Sequence, residues 1–123
     1  MRFDEDTSIK EIRDKIQEFI NERDWEKFHN PKDLAMSIAI ESAELMEIFQ
    51  WKDKDFIDNL KKNLKSYNSV EEELADIIIY VFSLANTLGI DVSEVVFKKI
   101  ESNAEKYPVE KAFGKADKYT ELE

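Results

Sequence analysis

Apolar residues recur along this chain at the three- and four-residue spacing of amphipathic helices. A first helix is predicted from about Ser8 to Arg23, with Ile9, Ile12, Ile16, Phe19 and Ile20 on one face. A second runs from about Pro31 to Trp51 along a stripe of Leu34, Ile38, Leu45 and Ile48. A third runs from about Val70 to Leu88 and a fourth from about Val92 to Lys106. Between the second and third, Asp53 to Ser66 is charged but carries Phe56, Ile57, Leu60 and Leu64 at helical spacing, which predicts a short extra helix. From about residue 109 the tail turns polar and reads as irregular.

The termini of these elements carry their own signals. Ser8 with Glu11, Ser69 with Glu72 and Asp91 with Glu94 have the spacing of capping boxes. Asn30 before Pro31 reads as an N-cap followed by proline at the first helical position. Gly89 stands where the third helix should stop. The expected fold is all-α and four-helix-bundle-like, a single domain over 1–123 with no repeat, linker or low-complexity tract.

Placing the residues at about 100° each around a helix exposes an anomaly. Glu41 falls inside the apolar stripe of the second helix, and Glu44 lies one turn on, at its edge. In the third helix, Leu74, Ile77, Ile78, Val81, Phe82, Leu84, Ala85 and Leu88 cover most of the circumference, leaving a narrow polar strip of Glu73, Asp76, Tyr80 and Ser83. A helix so apolar is expected to be buried, within the subunit or at an interface. Glu41 with Glu44 and Glu73 with Asp76 are pairs three residues apart, which share a face.

No lysine or arginine lies between Lys32 and Lys52, or between Lys65 and Lys98, to neutralise these acids. Carboxylates on buried faces without a base neutralise, pair or bind metal. Taken alone, Glu73 reads more readily as a solvated first-turn acid favoured by the helix dipole; Glu41 and Asp76 have no such explanation. As a set, the four predict a site for one or two divalent cations.

Composition narrows the metal. With no cysteine and a single histidine, His29, the donors must be oxygen, which selects hard cations such as Mg2+, with Mn2+ as the alternative. Di-iron bundles use Glu-x-x-His pairs, and neither the second nor the third helix has a histidine. The formal charge of −10 disfavours nucleic-acid polymers. No apolar run reaches membrane-span length and the acidic stretch from Met1 to Ile9 is no signal peptide, so the cytoplasm is the expected compartment.

Glu41-Ser-Ala-Glu44, then 28 residues, then Glu73-Leu-Ala-Asp76 resembles the metal motif of the MazG-like all-α nucleoside triphosphate pyrophosphohydrolases. The segments Glu22 to His29, Asn30 to Met36, Phe49-Gln-Trp51 and Asn103 to Pro108 are similar to the dCTP pyrophosphatase branch. The resemblance implies a MazG-type fold, a homodimer or homotetramer, and Mg2+-dependent cleavage of a nucleoside triphosphate, such as dCTP or modified dCTP, to the monophosphate and pyrophosphate. It implies Glu41, Glu44, Glu73 and Asp76 as metal ligands, with Glu44 or Glu41 as the catalytic base. Trp25, Phe28, His29 and Trp51 match segments that form the base and sugar pocket, Tyr80 extends the acid face, and Asn103 and Lys106 share a face suited to phosphate.

Two positions depart from the wider pattern. Ile40 stands where many members double the acid, and Ile16 where related members place a substrate-contacting histidine, which leaves base selectivity open. Two other readings compete: a non-catalytic helical oligomerisation module with structural cations, and a pyrophosphohydrolase of dUTP or another pyrophosphate. Trp25, His29, Trp51 and Lys106 have a purpose only in an enzyme.

Overall fold

The computed structural model describes residues 2–123. Its six α-helices are α1 (Ile9–Glu22), α2 (Pro31–Phe49), α3 (Lys54–Asp58), α4 (Leu64–Leu88), α5 (Val92–Lys106) and α6 (Val109–Ala112), with no strand among the described residues. Single 3-10 turns occupy Asp4–Asp6, Glu26–Phe28, Leu60–Lys62 and Tyr119–Glu121. The all-α class and the short extra helix, α3, are as the periodicity predicts. The chain divides into two compact units, Met1–Ile90 and Asp91–Glu123.

Capping chemistry sets most of the boundaries. Ser8 Oγ accepts from the Glu11 amide at 3.1 Å while the Ser8 amide donates back to Glu11 at 3.4 Å, a complete capping box. Asn30 caps α2 by accepting from the Asp33 amide at 2.9 Å, with Pro31 at the first helical position. At the end of α4, Gly89 is left-handed (φ 68°) and the Ile90 amide donates to the Ala85 carbonyl at 2.9 Å, closing the helix.

Two expectations are corrected here. The third helix does not start at Val70: Asn63 caps it by accepting from the Ser66 amide at 3.2 Å, so α4 begins at Leu64. Ser69 is not a cap but a mid-helix residue whose hydroxyl donates to the Lys65 carbonyl at 3.0 Å. The Ser-x-x-Glu spacing satisfies a cap and a helix interior alike, and the upstream asparagine decides. The tail is also more ordered than a polar sequence suggests, since α6 and a final 3-10 turn lie within it. Asp91 does cap α5, accepting from the Glu94 amide at 2.9 Å.

In the first unit α2 lies along α4, and α1 packs on α4. Ile16 and Ile20 of α1, Leu34 of α2 (1% exposed), and Phe82 and Ala85 of α4 form the core. Each such side chain contributes about 1.5–3 kcal/mol of burial, with less for alanine. α1 is further fastened to α4 by reciprocal hydrogen bonds: Arg13 Nε donates to Asn86 Oδ1 at 2.8 Å, and Asn86 Nδ2 donates to the Arg13 carbonyl at 3.1 Å.

The expectation that α4 is buried all round does not hold within one subunit. Leu74 is 49% exposed, and Ile78, Ile79, Val81 and Leu88 are exposed too. α2, α1 and the Leu60–Lys62 turn pack on α4, and these residues stay open on its other sides. No single helix among the described residues is long and apolar enough to cross a membrane.

In the second unit, α5 carries exposed Val95, Val96, Phe97 and Ile100 and has no buried residue. Tyr107 and Tyr119 stack edge to face at 6.2 Å, and Lys106 Nζ lies 5.0 Å from the centre of the Tyr119 ring.

Candidate metal and substrate site

The i, i+3 spacing places one carboxylate pair on α2 and one on α4, and the packing of these two helices turns the pairs toward each other. Glu41, Glu73 and Asp76 each present a carboxylate oxygen within 4.8 Å of the others'. Glu41 and Glu73 are half-buried, whereas Asp76 is exposed. Glu44 is exposed as well and stands just outside this trio, close enough to share hydrogen bonds with Glu41 and Glu73. The structure thus brings all four acids together but does not bury all four; the face of α4 carrying Asp76 opens outward.

Crowded carboxylates without a base raise one another's proton affinity. Glu41 rises from 4.5 to about 7, first through burial, then through its hydrogen bond with Glu73, the charge and hydrogen bond of Glu44, and the charge of Asp76. Glu73 is raised too: the hydrogen bond with Glu41 lowers it, but burial and the charges of Glu44 and Asp76 outweigh that. Both shifts run the same way, so the crowded pair holds protons more tightly than free carboxylates do. Glu41 Oε2 and Glu73 Oε2 are buried oxygens without a hydrogen-bond partner. Orphaned acceptors converging from two helices, all of them hard oxygen, fit a hard divalent cation.

Above the acids on α4 stands Tyr80, half-buried, one turn beyond Asp76. Its ring centre is 6.5 Å from that of His29, whose Nδ1 is buried without a partner. Thr87, farther up α4, donates its hydroxyl to the His29 carbonyl at 3.4 Å. Ser83, placed by the sequence on the polar strip beside Tyr80, is instead buried and bonded to the Ile79 carbonyl at 2.8 Å.

The aromatic residues take different places. Trp25 packs edge to face on Phe19 at 5.8 Å and remains partly open. Phe28 is exposed beneath Lys27, whose Nζ is 5.4 Å from the ring centre. Trp51 is 92% exposed and holds a left-handed backbone (φ 65°) just past the end of α2. That conformation is costly for a bulky residue and recurs at ligand clamps. Asn103 and Lys106 lie on α5 in the second unit, both exposed. Sequence reasoning passed over Arg13 and Asn86; an asparagine near the end of an otherwise apolar helix was the available signal.

Residues 36–122 match the MazG-like family. The mouse protein dCTP pyrophosphatase 1 is 37% identical over 121 residues, covering 98% of this chain and 71% of that protein. Its human counterpart is 35% identical over 120 residues with the same coverage. A solved structure of a pyrophosphatase from Archaeoglobus fulgidus superposes with a TM-score of 0.73 at 42% identity, over 81% of this chain and 92% of that one. The chain therefore belongs to the MazG-like family, and its relatives place it among that family's nucleotide pyrophosphohydrolases.

Proposed function

We propose that this enzyme hydrolyses a deoxynucleoside triphosphate, dCTP or a modified dCTP, to the monophosphate and pyrophosphate, with Mg2+ as its cation and Mn2+ as a substitute. The observation that carries this reading is the convergence of Glu41, Glu73 and Asp76 within 4.8 Å, with two orphaned carboxylate oxygens among them. The names of the mammalian relatives support the substrate.

Glu41, Glu44, Glu73 and Asp76 would hold the cation. When bound, such an ion neutralises phosphate charge and makes water more acidic. The residues do the rest. Glu44, outside the tight trio and open to solvent, takes the proton of the attacking water, with Glu41 as the alternative base. Water oxygen bonds to the α-phosphorus as the bridge to the β-phosphate breaks; pyrophosphate leaves and the proton passes from the carboxylate to solvent. Trp25, Phe28 and Trp51 offer faces on which base and sugar stack, each such contact being worth about 1–3 kcal/mol. His29 and Tyr80 continue the wall between acids and aromatics, while Asn103 and Lys106 of α5 remain the candidates for phosphate binding, Lys106 as a point charge. The exposed apolar face of α4 supports a homodimer or homotetramer.

A nucleotide panel with Mg2+, resolving monophosphate and pyrophosphate, tests the proposal. Cleavage between the α- and β-phosphates, lost in Asp76→Asn, is the expected result. Absence of cleavage for every nucleotide, or full activity in that variant, would overturn it.

A further inference from the structure

α1 closes on a specific turn. Asp24 holds a left-handed backbone (φ 54°), its amide donates to the Asn21 carbonyl at 3.1 Å, and the Trp25 amide donates to the Ile20 carbonyl at 3.1 Å. These two bonds make a Schellman closure, with aspartate at the position where glycine is usual. Aspartate tolerates this conformation better than most side chains, and its carboxylate is tied to Lys27 Nζ at 2.9 Å. Such a closure sets the residue after the left-handed position against helix side chains five or six places back. Here that contact is between Trp25 and Phe19, whose rings meet edge to face at 5.8 Å and 78°.

The closure by itself asks only for apolar contact at this point, and leucine would supply it. Phe19 is held further. The Arg23 guanidinium lies over its ring, 3.8 Å from the centre, and Nη1 donates to the Phe19 carbonyl at 3.0 Å. The same nitrogen is 3.6 Å from Glu22 Oε2, beyond hydrogen-bond reach. Burial does not account for the order of these rings, because Phe19 is 46% and Trp25 43% exposed. Side chains so open ordinarily change rotamer within picoseconds to nanoseconds. Arg23, Phe19 and Trp25 stand instead in a series of contacts, each fixing the next. A cation over an exposed ring adds little to stability, so the series serves orientation more than folding.

The turn that Trp25 opens leads toward the acids. Glu26 lines a small cavity with Gln17, His29 and Asn86, and the His29 ring is 6.5 Å from that of Tyr80, one turn beyond Asp76. We propose that Phe19 and Arg23 are positioning residues of this enzyme, fixing the Trp25 ring before substrate arrives in the orientation in which it stacks on the substrate. Neither touches substrate; both act through Trp25. A ring free to rotate must be immobilised at each binding event, which weakens binding by about three- to tenfold per side chain. The inference rests on the reading of the acid site as a nucleotide pyrophosphohydrolase centre, with Trp25 as one of its stacking faces.

Three variants of the full chain test it. Phe19→Leu keeps an apolar contact for the helix closure but removes the ring, Phe19→Tyr keeps the ring, and Arg23→Gln removes the cation. Each is compared with wild type in kcat and KM for dCTP with Mg2+, in melting temperature, and in the NMR order parameter of the Trp25 indole N–H, assigned by its loss in Trp25→Phe. Phe19→Leu and Arg23→Gln should raise KM about three- to tenfold, with the change falling on KM rather than kcat, and lower the indole order parameter. Phe19→Tyr should restore both. A lower melting temperature with KM and order parameter unchanged would mark a purely structural role and overturn the assignment, as would a tyrosine variant no better than the leucine one. Arg23→Gln keeps the test decisive if Phe19→Leu does not fold, because Arg23 lies on the surface. A metal-free titration with dCMP, read from the shift of the Trp25 indole resonance, separates the two readings. If no nucleotide is cleaved but dCMP moves that resonance and binds more weakly to Arg23→Gln, the hydrolase reading fails and the positioning role stands. If dCMP leaves the resonance unmoved, the positioning role fails whatever the activity.

Discussion

Glu41 of α2 and Glu73 of α4 face each other with one buried, unpartnered oxygen apiece, and burial and neighbouring acids raise Glu41 to about 7. Without a cation the pair is a source of instability between α2 and α4. That makes the site's electrostatics measurable apart from catalysis.

The pH dependence follows from the direction of these shifts. Glu41 binds its proton more tightly folded (about 7) than unfolded (4.5), and Glu73 shifts the same way. Between these values the native state holds more protons, so stability must fall as pH rises. Metal-free protein is therefore expected to lose melting temperature from about pH 5 to pH 8, and Glu41→Gln to flatten the curve. A melting temperature that climbs over this range in chelator would refute the coupling.

Cation binding should reverse that loss. A ligand bound only by the native state adds about 2.7 kcal/mol at a hundred times its Kd, so the melting temperature should rise with Mg2+ concentration. Glu73→Gln should lose most of the increment. Glu44→Gln should keep more of it while losing turnover, because Glu44 stands outside the tight trio. Equal loss of both properties in the two variants would argue against separate roles.

The Arg13–Asn86 pair offers a test of the helix packing. Each residue both gives and receives a hydrogen bond. Asn86→Ala leaves the part-buried Arg13 carbonyl and guanidinium without these partners, and a loss of about 1–3 kcal/mol is expected in urea unfolding. Adding Arg13→Ala should cost much less than the sum of the single effects.

Trp51 separates strain from binding. Its ring is 92% exposed, so removing it forfeits little packing, while φ 65° suits asparagine better. Trp51→Asn is expected to melt at or above the wild-type temperature and to show a raised KM. A large drop in stability would mean that the ring is covered in the assembled enzyme.

The exposed apolar residues of α4 predict assembly. Ile78→Asp should shift the protein toward smaller species in analytical ultracentrifugation, the wild type sedimenting as a dimer or tetramer. A monomeric wild type would leave this face unexplained.

Much of this was legible in the chain because helices are local. Ser8 with Glu11, Asn30 before Pro31 and Gly89 mark ends by contacts within a few residues, and the acid pairs share a face because of helical pitch alone. The third helix misled, since Ser69 with Glu72 has a cap's spacing and Asn63 takes the role. What required the tertiary structure was everything set by one helix meeting another. The approach of α2 to α4 decides which carboxylates are orphaned, leaving Asp76 and Glu44 open while Glu41 and Glu73 are half-buried. The seating of α1 on α4 joins Gln17 and Glu26 to Asn86, a grouping without sequence signature because its members lie up to sixty-nine positions apart. Periodicity reports which way a side chain leaves its own helix; it holds no record of what stands opposite.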